Sequence, residues 1–264
     1  MPLLTVVIIE YHCADQIDDC LDSLSKHMIG IDWECLIVSN SLYSATELQG
    51  LCGRFKGATI LDAKANLGYA GGVNYAIQHS NAPYLFVMNP DCRLTDDNLQ
   101  SLCALFDKHE DVAVIGPKVI DVADQVQPSC RRTPRPWTFL LVRSVFRHLP
   151  GASREKRRYL MEDFDRNSQR DVDWVSGGAM LVRRKAADEV GGMDERYFLY
   201  MEDADWCRRM WQSGWRVIYS PLSTVCHSGQ HASLRGGLGA LLSPHTRYHL
   251  ISMVKYFLKY GFSR

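Results

Sequence analysis

Short apolar runs alternate with amphipathic stretches over the first 120 residues of the chain. Thr5–Ile9 is a continuous, largely β-branched run, typical of a strand buried on both faces. Ile17, Cys20 and Leu24 then recur at helical spacing. The same alternation predicts further strands at Cys35–Val38, Ala58–Leu61, Tyr84–Met88 and Val112–Ile115, and further helices at Ala45–Phe55, Val73–His79 and Asp96–Lys108. Such an order predicts an α/β fold with a mostly parallel central sheet flanked by helices.

Two details of these elements depend on single residues. Thr95 is expected to be the N-cap of the helix at Asp96–Lys108, because threonine accepts hydrogen bonds from free helical N–H groups. The pair Gly116–Pro117 is expected to end the strand that begins at Val112, because both residues disfavour a continuing strand.

The alternation stops between residues 122 and 171, where prolines and basic residues accumulate. Excursions of this length are usually functional or mobile, and a short amphipathic helix within this one is consistent with its pattern. Order returns with a strand over Val172–Arg184, bent at Gly177–Gly178. A helix near Lys185–Val190, a helix from Asp203, a strand reaching Val225 and a tail helix from Pro244 follow. We therefore divide one domain into residues 1–121, a basic mobile excursion at 122–171, and residues 172–264.

Composition narrows the class of protein. The 264 residues are 46% hydrophobic and 23% charged, and 30 basic residues balance 30 acidic ones, so no overall charge favours nucleic acid as a partner. The nine cysteines include no C-x-x-C pair, which favours reduced thiols and a cytoplasmic location. The apolar run Leu3–Ile9 has no basic residues before it and is followed by Glu10, so we expect no signal peptide. No apolar stretch reaches the ~18–20 residues that a membrane span needs.

Two segments carry local positive charge. Arg131–Arg158 is strongly basic, which is typical of a solvated face or of a site for an anionic head group or diphosphate. Pro136–Phe146 is too short to span a membrane but is suited to lying on its surface. The basic, amphipathic tail from Pro244 is compatible with packing on the core or with contact to a membrane surface.

Polar residues that follow the predicted strands are expected to meet in one crevice, because ligands of open α/β sheets bind at the carboxyl ends of the strands. These residues are Glu10–His12, Ser39–Asn40, Asn66–Gly72 and Asn89–Asp91. Asp91 fits either a plain turn or a ligand for Mg²⁺ or Mn²⁺. The Asn66–Gly72 turn permits close backbone approach to a ligand, but its G-x-x-G-G spacing and its place after the third strand disfavour a nicotinamide site.

A second set of candidate groups lies later in the chain. Glu202, Asp203 and Asp205 begin a helix, where carboxylates also favour the helix macrodipole. Successive helical residues point about 100° apart, so only one of Glu202 and Asp203 is expected to be a general base. His227 follows a strand and fits either a metal ligand or a hydrogen-bonded histidine, and His231 competes with it for the first role.

Taken together, these segments resemble the family 2 glycosyltransferases of the GT-A fold, and within them the bacterial rhamnosyltransferases. The resemblance covers most of the chain and rests on eight motifs in the same order. They are Val6–His12, Leu36–Asn40, Asn66–Asn74, Leu85–Asp91, Val172–Arg184, Gly191–Glu195, Phe198–Asp205 and Cys226–Gln230.

The resemblance implies roles for particular residues. Asp91 corresponds to the metal-binding end of the family's D-x-D element, with Asn89 in place of the first aspartate, and His227 to a late metal ligand. A divalent cation, Mg²⁺ or Mn²⁺, is the implied cofactor, and Asp203 of the Glu202–Asp203 pair is the implied base. The implied donor-binding residues are Glu10, Tyr11, Ser39, Asn66, Gly71, Gly72 and Asn89. The implied acceptor- or diphosphate-binding residues are Arg131, Arg132, Trp174, Gly177 and Gly178.

One departure from the family pattern concerns the nucleotide. The family usually has aspartate at the position of Ser39, where it helps to recognise the base, and Glu10 is a candidate to replace that carboxylate. Residues 1–121 are then expected to bind the nucleotide sugar, and residues 172–264 to form the acceptor and catalytic half.

The expected activity is inverting transfer of a sugar, L-rhamnose from dTDP-L-rhamnose, in cell-envelope polysaccharide biosynthesis such as that of O-antigen. The acceptor is expected to be a polyprenyl-diphosphate-linked or oligosaccharide hydroxyl, and the enzyme to lie at the cytoplasmic face of the inner membrane. The alternatives are a UDP-sugar donor (hexose or galactofuranose), a non-catalytic nucleotide-sugar-binding scaffold, and a nicotinamide oxidoreductase.

Overall fold

A computed structural model describes residues 1–143, 151–229 and 243–261. Within these ranges a nine-stranded sheet has the order β3-β2-β1-β4-β10-β6-β11-β5, with β8 paired to β11, and β7 and β9 form a separate ribbon. The strands are β1 Leu4–Glu10, β2 Trp33–Ser39, β3 Ala58–Asp62, β4 Tyr84–Met88, β5 Cys92–Leu94, β6 Val112–Ile120, β7 Cys130–Arg131, β8 Arg170–Asp171, β9 Trp174–Val175, β10 Ala179–Arg183 and β11 Arg216–His227.

The sheet is mostly parallel, as predicted. Strands β1 to β4 share one direction, because β1 pairs in parallel with β2 and β4, and β2 with β3. Strand β10 runs the other way and pairs with both β4 and β6, so β6 has the direction of β4. Strand β11 pairs in parallel with β6 and shares that direction. This antiparallel strand brings residues from the second half of the chain into the middle of the sheet.

Helices cover both faces of the sheet. They are α1 Ala14–His27, α2 Ala45–Arg54, α3 Gly68–Gln78, α4 Leu99–Lys108, α5 Thr138–Arg143, α6 Ala152–Tyr159, α7 Arg184–Val190, α8 Glu202–Gln212 and α9 Pro244–Tyr260. Alternate residues of β1 belong to different cores: Val7 and Ile9 pack with α3, α8 and α9, whereas Val6 and Ile8 pack with α1 and α4. The continuous apolar run of β1 is therefore explained by burial on both faces.

Several predicted boundaries are wrong. Helix α3 begins at Gly68, five residues before the predicted Val73, and the strand predicted over Val172–Arg184 is two strands, β9 and β10, with the glycine pair between them. Strand β6 continues through Gly116–Pro117 to Ile120, because β10 pairs only with Val114 and Ile115 and leaves no ladder partner that needs the missing N–H of Pro117. Helix α4 begins after Asn98, and Thr95 instead donates its hydroxyl to the carbonyl of Thr224 at 3.0 Å, which ties the chain ahead of α4 to β11.

The described part of the segment at 122–171 contains β7, α5, α6 and β8, and it contributes buried side chains to the core. Glu155 of α6 is 5% exposed and accepts hydrogen bonds from Thr138 and from Arg158 at 2.7 Å. Burial raises the pKa of Glu155, but these hydrogen bonds outweigh it and hold the pKa below its ordinary value. The limits of the three predicted divisions, at residues 121 and 171, remain a prediction.

Two expectations from the sequence concern the state of the cysteines and membrane-spanning helices. All nine cysteines are free thiols. Among the described residues, no helix is long and apolar enough to cross a membrane.

Candidate active site

The loop after β4 and the end of β11 bring one carboxylate and one imidazole together. Asp91 Oδ2 lies 3.3 Å from His227 Nε2, and both side chains are about one-fifth exposed. His227 pairs with Cys92 of β5, and the backbone N–H and hydroxyl of Ser228 both donate to the carbonyl of Asp91. The two groups are therefore held next to each other by sheet pairing and by a second set of hydrogen bonds.

The Asp91–His227 pair fits a divalent cation. A carboxylate oxygen and an imidazole nitrogen are suitable donors that leave further coordination positions for ligand oxygens. Gly229 keeps the space beside them open, since a Cβ there would lie 2.4 Å from Asp91 Oδ2 and 2.7 Å from His227 Nε2. Cys92 lies in the same group. Burial raises the pKa of its thiol well above the ordinary range, and the thiol donates to the carbonyl of Gly178, so Cys92 is a core residue that is poorly suited to binding metal.

Asp203 lies in the first turn of α8, where backbone groups fix its carboxylate. Its Oδ2 accepts the N–H of Gly177 at 3.0 Å, and its Oδ1 accepts the N–H of Ala204 at 2.8 Å. Burial raises the pKa of Asp203, while these two hydrogen bonds and the charge of Arg131 oppose the rise. Asp203 is thus a fixed, partly buried carboxylate whose basicity is increased by its surroundings.

Glu202, its neighbour, has a different environment. Its side chain is 5% exposed, and its Oε2 has no hydrogen-bond partner among the described residues. Burial and then the charge of Asp203 raise the pKa of Glu202 well above the ordinary range, which favours the neutral acid. Tyr200 and Met201, just before the pair, have left-handed φ angles of 69° and 71°. Non-glycine residues adopt this conformation at a cost and often do so at functional sites.

The glycine pair before β10 connects Asp203 to the loop that carries Asp91. Gly177 donates to Asp203, and its carbonyl accepts the hydroxyl of Tyr69 at 2.6 Å. The carbonyl of Gly178 accepts the N–H of Asn89 at 2.9 Å. A Cβ on Gly177 would lie 3.2 Å from the ring of Tyr69. Close packing of these backbone segments places Asn89, Tyr69 and Asp203 around one short turn.

At the end of β1, Glu10 accepts hydrogen bonds from several neighbouring groups. It is 1% exposed, and its two oxygens accept hydrogen bonds from Ser39, Ser41, Tyr43 and the backbone N–H of Cys13, at 2.9 to 3.1 Å. The carboxylate of Glu10 is therefore bonded directly to the Ser39 hydroxyl. Tyr11 is 54% exposed, and its ring centroid lies 4.5 Å from that of His12.

Hydrogen bonds within the protein hold the Asn66–Gly72 segment in place. Asn66 Oδ1 accepts the N–H of Gly68, and the buried Asn40 bonds to both Leu67 and Gly68. A Cβ on Gly71 would lie 2.9 Å from Leu67, and one on Gly72 would lie 3.0 Å from Ile9. In the structure these two glycines allow close packing of helix α3, and their role in donor binding remains a prediction.

The two predicted arginines occupy different places. Arg131 lies over the ring of Trp174, 4.9 Å from its centroid, and its charge reaches Asp203. Arg132 bonds to Asp173 at 3.0 Å and lines a neighbouring cavity of about 300 Å³ with Trp211. Trp174 is 5% exposed and donates its indole N–H to the carbonyl of Arg132. Arg131, but not Arg132, is thus grouped with the carboxylate.

Asn40 and Tyr69 belong to segments that were expected to line the crevice, Ser39–Asn40 and Asn66–Gly72, but only the contacts assign them individual roles. Gly229 was not among the candidates, although it lies in the Cys226–Gln230 motif. Asp205 belongs to a separate buried cluster with α9, as described below. His231 lies outside the described residues.

Comparison with known proteins identifies the family. Residues 5–191 match the family model for glycosyl transferase family 2, and the chain belongs to this family. It is a glycosyltransferase with a GT-A-type α/β fold, as predicted. A Mycobacterium tuberculosis protein named N-acetylglucosaminyl-diphospho-decaprenol L-rhamnosyltransferase is 29% identical over 92% of this chain and 81% of its own length. Rhamnosyltransferase WbbL of Escherichia coli is 36% identical over 32% of this chain and 30% of its own length.

Solved structures share the fold at lower identity. The structure of GalNAc-T7 with UDP, GalNAc and Mn²⁺ has a TM-score of 0.67 at 16% identity and covers 98% of this chain, which spans 48% of that protein. Mannosyltransferase PcManGT from Pyrobaculum calidifontis, in complex with GDP-Man and Mn²⁺, has a TM-score of 0.61 at 15% identity. It covers 100% of this chain, which spans 66% of that protein.

Proposed function

We propose that this glycosyltransferase is inverting and metal-dependent, and that it moves L-rhamnose from dTDP-L-rhamnose to a hydroxyl of a lipid-linked or growing cell-surface glycan. The observation that carries the proposal is the joining of Asp203 to the Asp91–His227 loop through the Gly177–Gly178 turn. This arrangement combines a fixed base with a cation site. The names of the rhamnosyltransferase relatives support rhamnose as the donor sugar.

In the proposed reaction, Asp203 removes the proton from the acceptor hydroxyl. The acceptor oxygen forms a bond to the anomeric carbon as the bond from that carbon to the diphosphate oxygen breaks, and the electron pair leaves with the nucleotide diphosphate. Asp91 and His227 would hold Mg²⁺ or Mn²⁺, whose charge stabilises the departing diphosphate. The hydrogen bond from Gly177 keeps Asp203 oriented while its raised pKa makes it a better proton acceptor.

We propose that Glu10 and Ser39 together recognise the nucleobase of the nucleotide-sugar donor. Their hydrogen bond places a carboxylate beside the end of β2, although the residue there is serine. Glu10 also fixes Ser41 and Tyr43, so the loop after β2 keeps one conformation next to the exposed ring of Tyr11. In this proposal the loop after β2 recognises the nucleobase of the donor, which stacks on Tyr11. Asn66 and Asn89 complete the donor side in this proposal.

For the acceptor, the M. tuberculosis relative's name includes a diphospho-decaprenol, and this supports a polyprenyl-diphosphate-linked or oligosaccharide acceptor here. The charge of Arg131 reaches Asp203, and Arg131 is the proposed contact for an acceptor or donor diphosphate, with Trp174 beneath it. Arg132 is the second proposed basic contact. A lipid-linked acceptor requires the enzyme to work at a membrane, and we place it at the cytoplasmic face of the inner membrane.

The proposal is tested by thermal unfolding with nucleotide diphosphates and nucleotide sugars, with and without Mn²⁺. A ligand at a hundredfold excess over its Kd stabilises the native state by about 2.7 kcal/mol. Metal-dependent stabilisation by dTDP and dTDP-rhamnose is expected. The variant Asp91→Asn should lose it, and Asp203→Asn should keep it while losing sugar transfer.

Other results would replace the proposal. Stabilisation by UDP sugars alone would keep the transferase and exchange rhamnose for a hexose or galactofuranose. Binding of NAD(H) without nucleotide sugars would support an oxidoreductase. A chain stabilised by no nucleotide would fit a non-catalytic scaffold, and transfer that persists in Asp203→Asn would assign the base elsewhere.

A further inference from the structure

Helix α9 has two apolar faces. Ser252, Tyr256 and Phe257 are buried against the core. A second face carries large hydrophobic side chains that are 45% to 75% exposed, namely Leu250, Ile251, Val254 and Leu258. At 100° per residue these four lie within an arc of about 100°, so they form a continuous stripe along the helix. We call them the outer stripe.

The charges around the outer stripe point to a particular occupant. The 17 residues of α9 include no aspartate or glutamate. Arg247 and Lys255 are basic, whereas the charge of Lys259 is already paired with Asp194 and Asp205. An exposed apolar stripe with cations only is complementary to an anionic lipid surface, into which such helices insert their apolar face. A second protein surface would need both an apolar face and matching acids.

Helix α5 packs beside α9, and an exposed tryptophan precedes α5. The ring of Phe139 packs against His249 of α9, with centroids 4.7 Å apart, so the two helices are adjacent. Trp137, just before α5, is 49% exposed, and Arg135 lies 6.0 Å from its ring centroid. Tryptophan is favoured where apolar and polar phases meet, as at a bilayer interface.

The inner face of α9 holds the segment that leads into the catalytic acids. Lys255 Nζ donates to the carbonyl of Arg196 at 2.6 Å, and Ser252 donates to the carbonyl of Leu199 at 2.9 Å. Two side-chain contacts accompany these hydrogen bonds, namely Tyr248 stacked on Phe198 at 4.9 Å and Tyr200 bonded to His245 at 3.3 Å.

This segment, residues 196–201, touches both sides of the site. The carbonyl of Phe198 accepts the N–H of Tyr69, the residue whose hydroxyl bonds to Gly177. At its other end, the left-handed Tyr200 and Met201 lead directly into Glu202 and Asp203. A strained segment of this kind depends on outside contacts to keep its conformation, and α9 provides them.

We propose that α9 binds an anionic bilayer through its outer stripe and that this contact, through residues 196–201, orders the catalytic acids. The inference rests on the proposed function, since it gives that site its membrane partner and a means of coupling activity to the membrane. Residues of α9 are positioning residues in this scheme, and the acids of α8 carry the chemistry.

The bilayer contact is tested by sedimentation of the full chain with vesicles of phosphatidylcholine, with and without phosphatidylglycerol. Wild type should bind the anionic vesicles, and Leu258→Glu should bind roughly tenfold more weakly, because a lost leucine contact is worth at least that factor. The matched control is Ile29→Glu, which places the same change at a side chain 83% exposed between α1 and β2 and should bind like wild type. Equal binding by both variants, or no binding by wild type, would overturn the contact.

The coupling is tested by amide hydrogen exchange of residues 196–205. Anionic vesicles should slow this exchange in wild type and in Ile29→Glu, and should leave it unchanged in Leu258→Glu. A merely structural helix would give exchange that does not depend on vesicles, and that result would refute the coupling. If Leu258→Glu instead turned a dimer into a monomer and wild type ignored vesicles, the stripe would be a contact between two copies.

Failure of this inference is distinguishable from failure of the proposed function. Thermal stabilisation by nucleotide sugars and Mn²⁺ is measured without lipid. Wild type that binds these ligands but no vesicles would overturn the α9 inference alone. Wild type that binds vesicles and slows exchange, but binds no nucleotide, would support the α9 contact and overturn the proposed function.

Discussion

Asp205 lies two residues after the proposed base, yet its carboxylate faces the interior and fastens α8 to α9. It is 0% exposed and accepts hydrogen bonds from Arg209 Nε at 2.8 Å and Lys259 Nζ at 2.6 Å. The hydroxyls of Tyr260 and Tyr197 also donate to it, at 2.8 and 3.2 Å. The substitution Asp205→Asn removes the buried charge that balances two cations, each 19% exposed, while nearly preserving the shape.

The loss of stability depends on the hydrogen-bond partners that Arg209 and Lys259 retain in the variant. Removing one partner of a buried ion pair costs about 3–5 kcal/mol. Lys259 retains Asp194 at 2.8 Å, and Arg209 retains backbone carbonyls such as that of Gly192 at 2.6 Å. The lower end, about 3 kcal/mol, is therefore expected. For a chain of this size the melting temperature should fall by roughly 6–12 °C.

The assay is thermal unfolding of Asp205→Asn beside a matched variant, Asp188→Asn. Asp188 is 59% exposed and pairs with Arg184 on one helix at 3.0 Å, and an exposed pair of this kind contributes at most about 1 kcal/mol. Equal melting temperatures for the two variants would refute the assigned role of Asp205. A large fall for Asp205→Asn alone would support it.

Three further outcomes are expected. Gly229→Ala should abolish metal-dependent stabilisation, because its Cβ would displace the side chains of Asp91 and His227, the proposed metal ligands; Gly53→Ala, in open space, is the control. As the pH rises above 4.5, Glu202→Gln should become more stable relative to wild type. The raised pKa of Glu202 makes the native wild-type protein hold an extra proton, so its free energy of unfolding falls as the pH rises. A pH-independent difference in melting temperature would contradict this. Tyr69→Phe should slow sugar transfer several-fold while nucleotide binding persists, since it removes the hydrogen bond to Gly177; unchanged transfer would argue against that role.

Much of the fold could be predicted because its signals are local. The apolar run of β1 and the helical spacing of α1 each depend on a few neighbouring residues, and the structure confirms both elements. The end of β6 could not be predicted in this way. Whether Pro117 ends a strand depends on which neighbour needs its N–H, and the neighbour concerned, β10, lies more than sixty residues later.

The same distinction between local sequence signals and tertiary contacts applies to the candidate site. Asp91, Asp203 and His227 could be proposed from residue type, position after a strand or at a helix start, and resemblance to a family. Their relation to one another could not, because sheet pairing of His227 with Cys92 joins residues 135 positions apart. The separation of Asp203 from Asp205 is likewise tertiary, since the partners of Asp205 lie on α9.

By itself, the sequence determined the α/β class, the family and the chemical types of the candidate groups, because hydrophobic period and ordered motifs are properties of short segments. Only the tertiary structure decided which groups meet. Burial left Oε2 of Glu202 without a hydrogen-bond partner in the described part of the chain, whereas Asp203 is a hydrogen-bonded carboxylate, although the two are adjacent in sequence. It also left the outer stripe of α9 exposed beside an inner face that is buried, a distinction that depends on which side of the helix the rest of the chain covers.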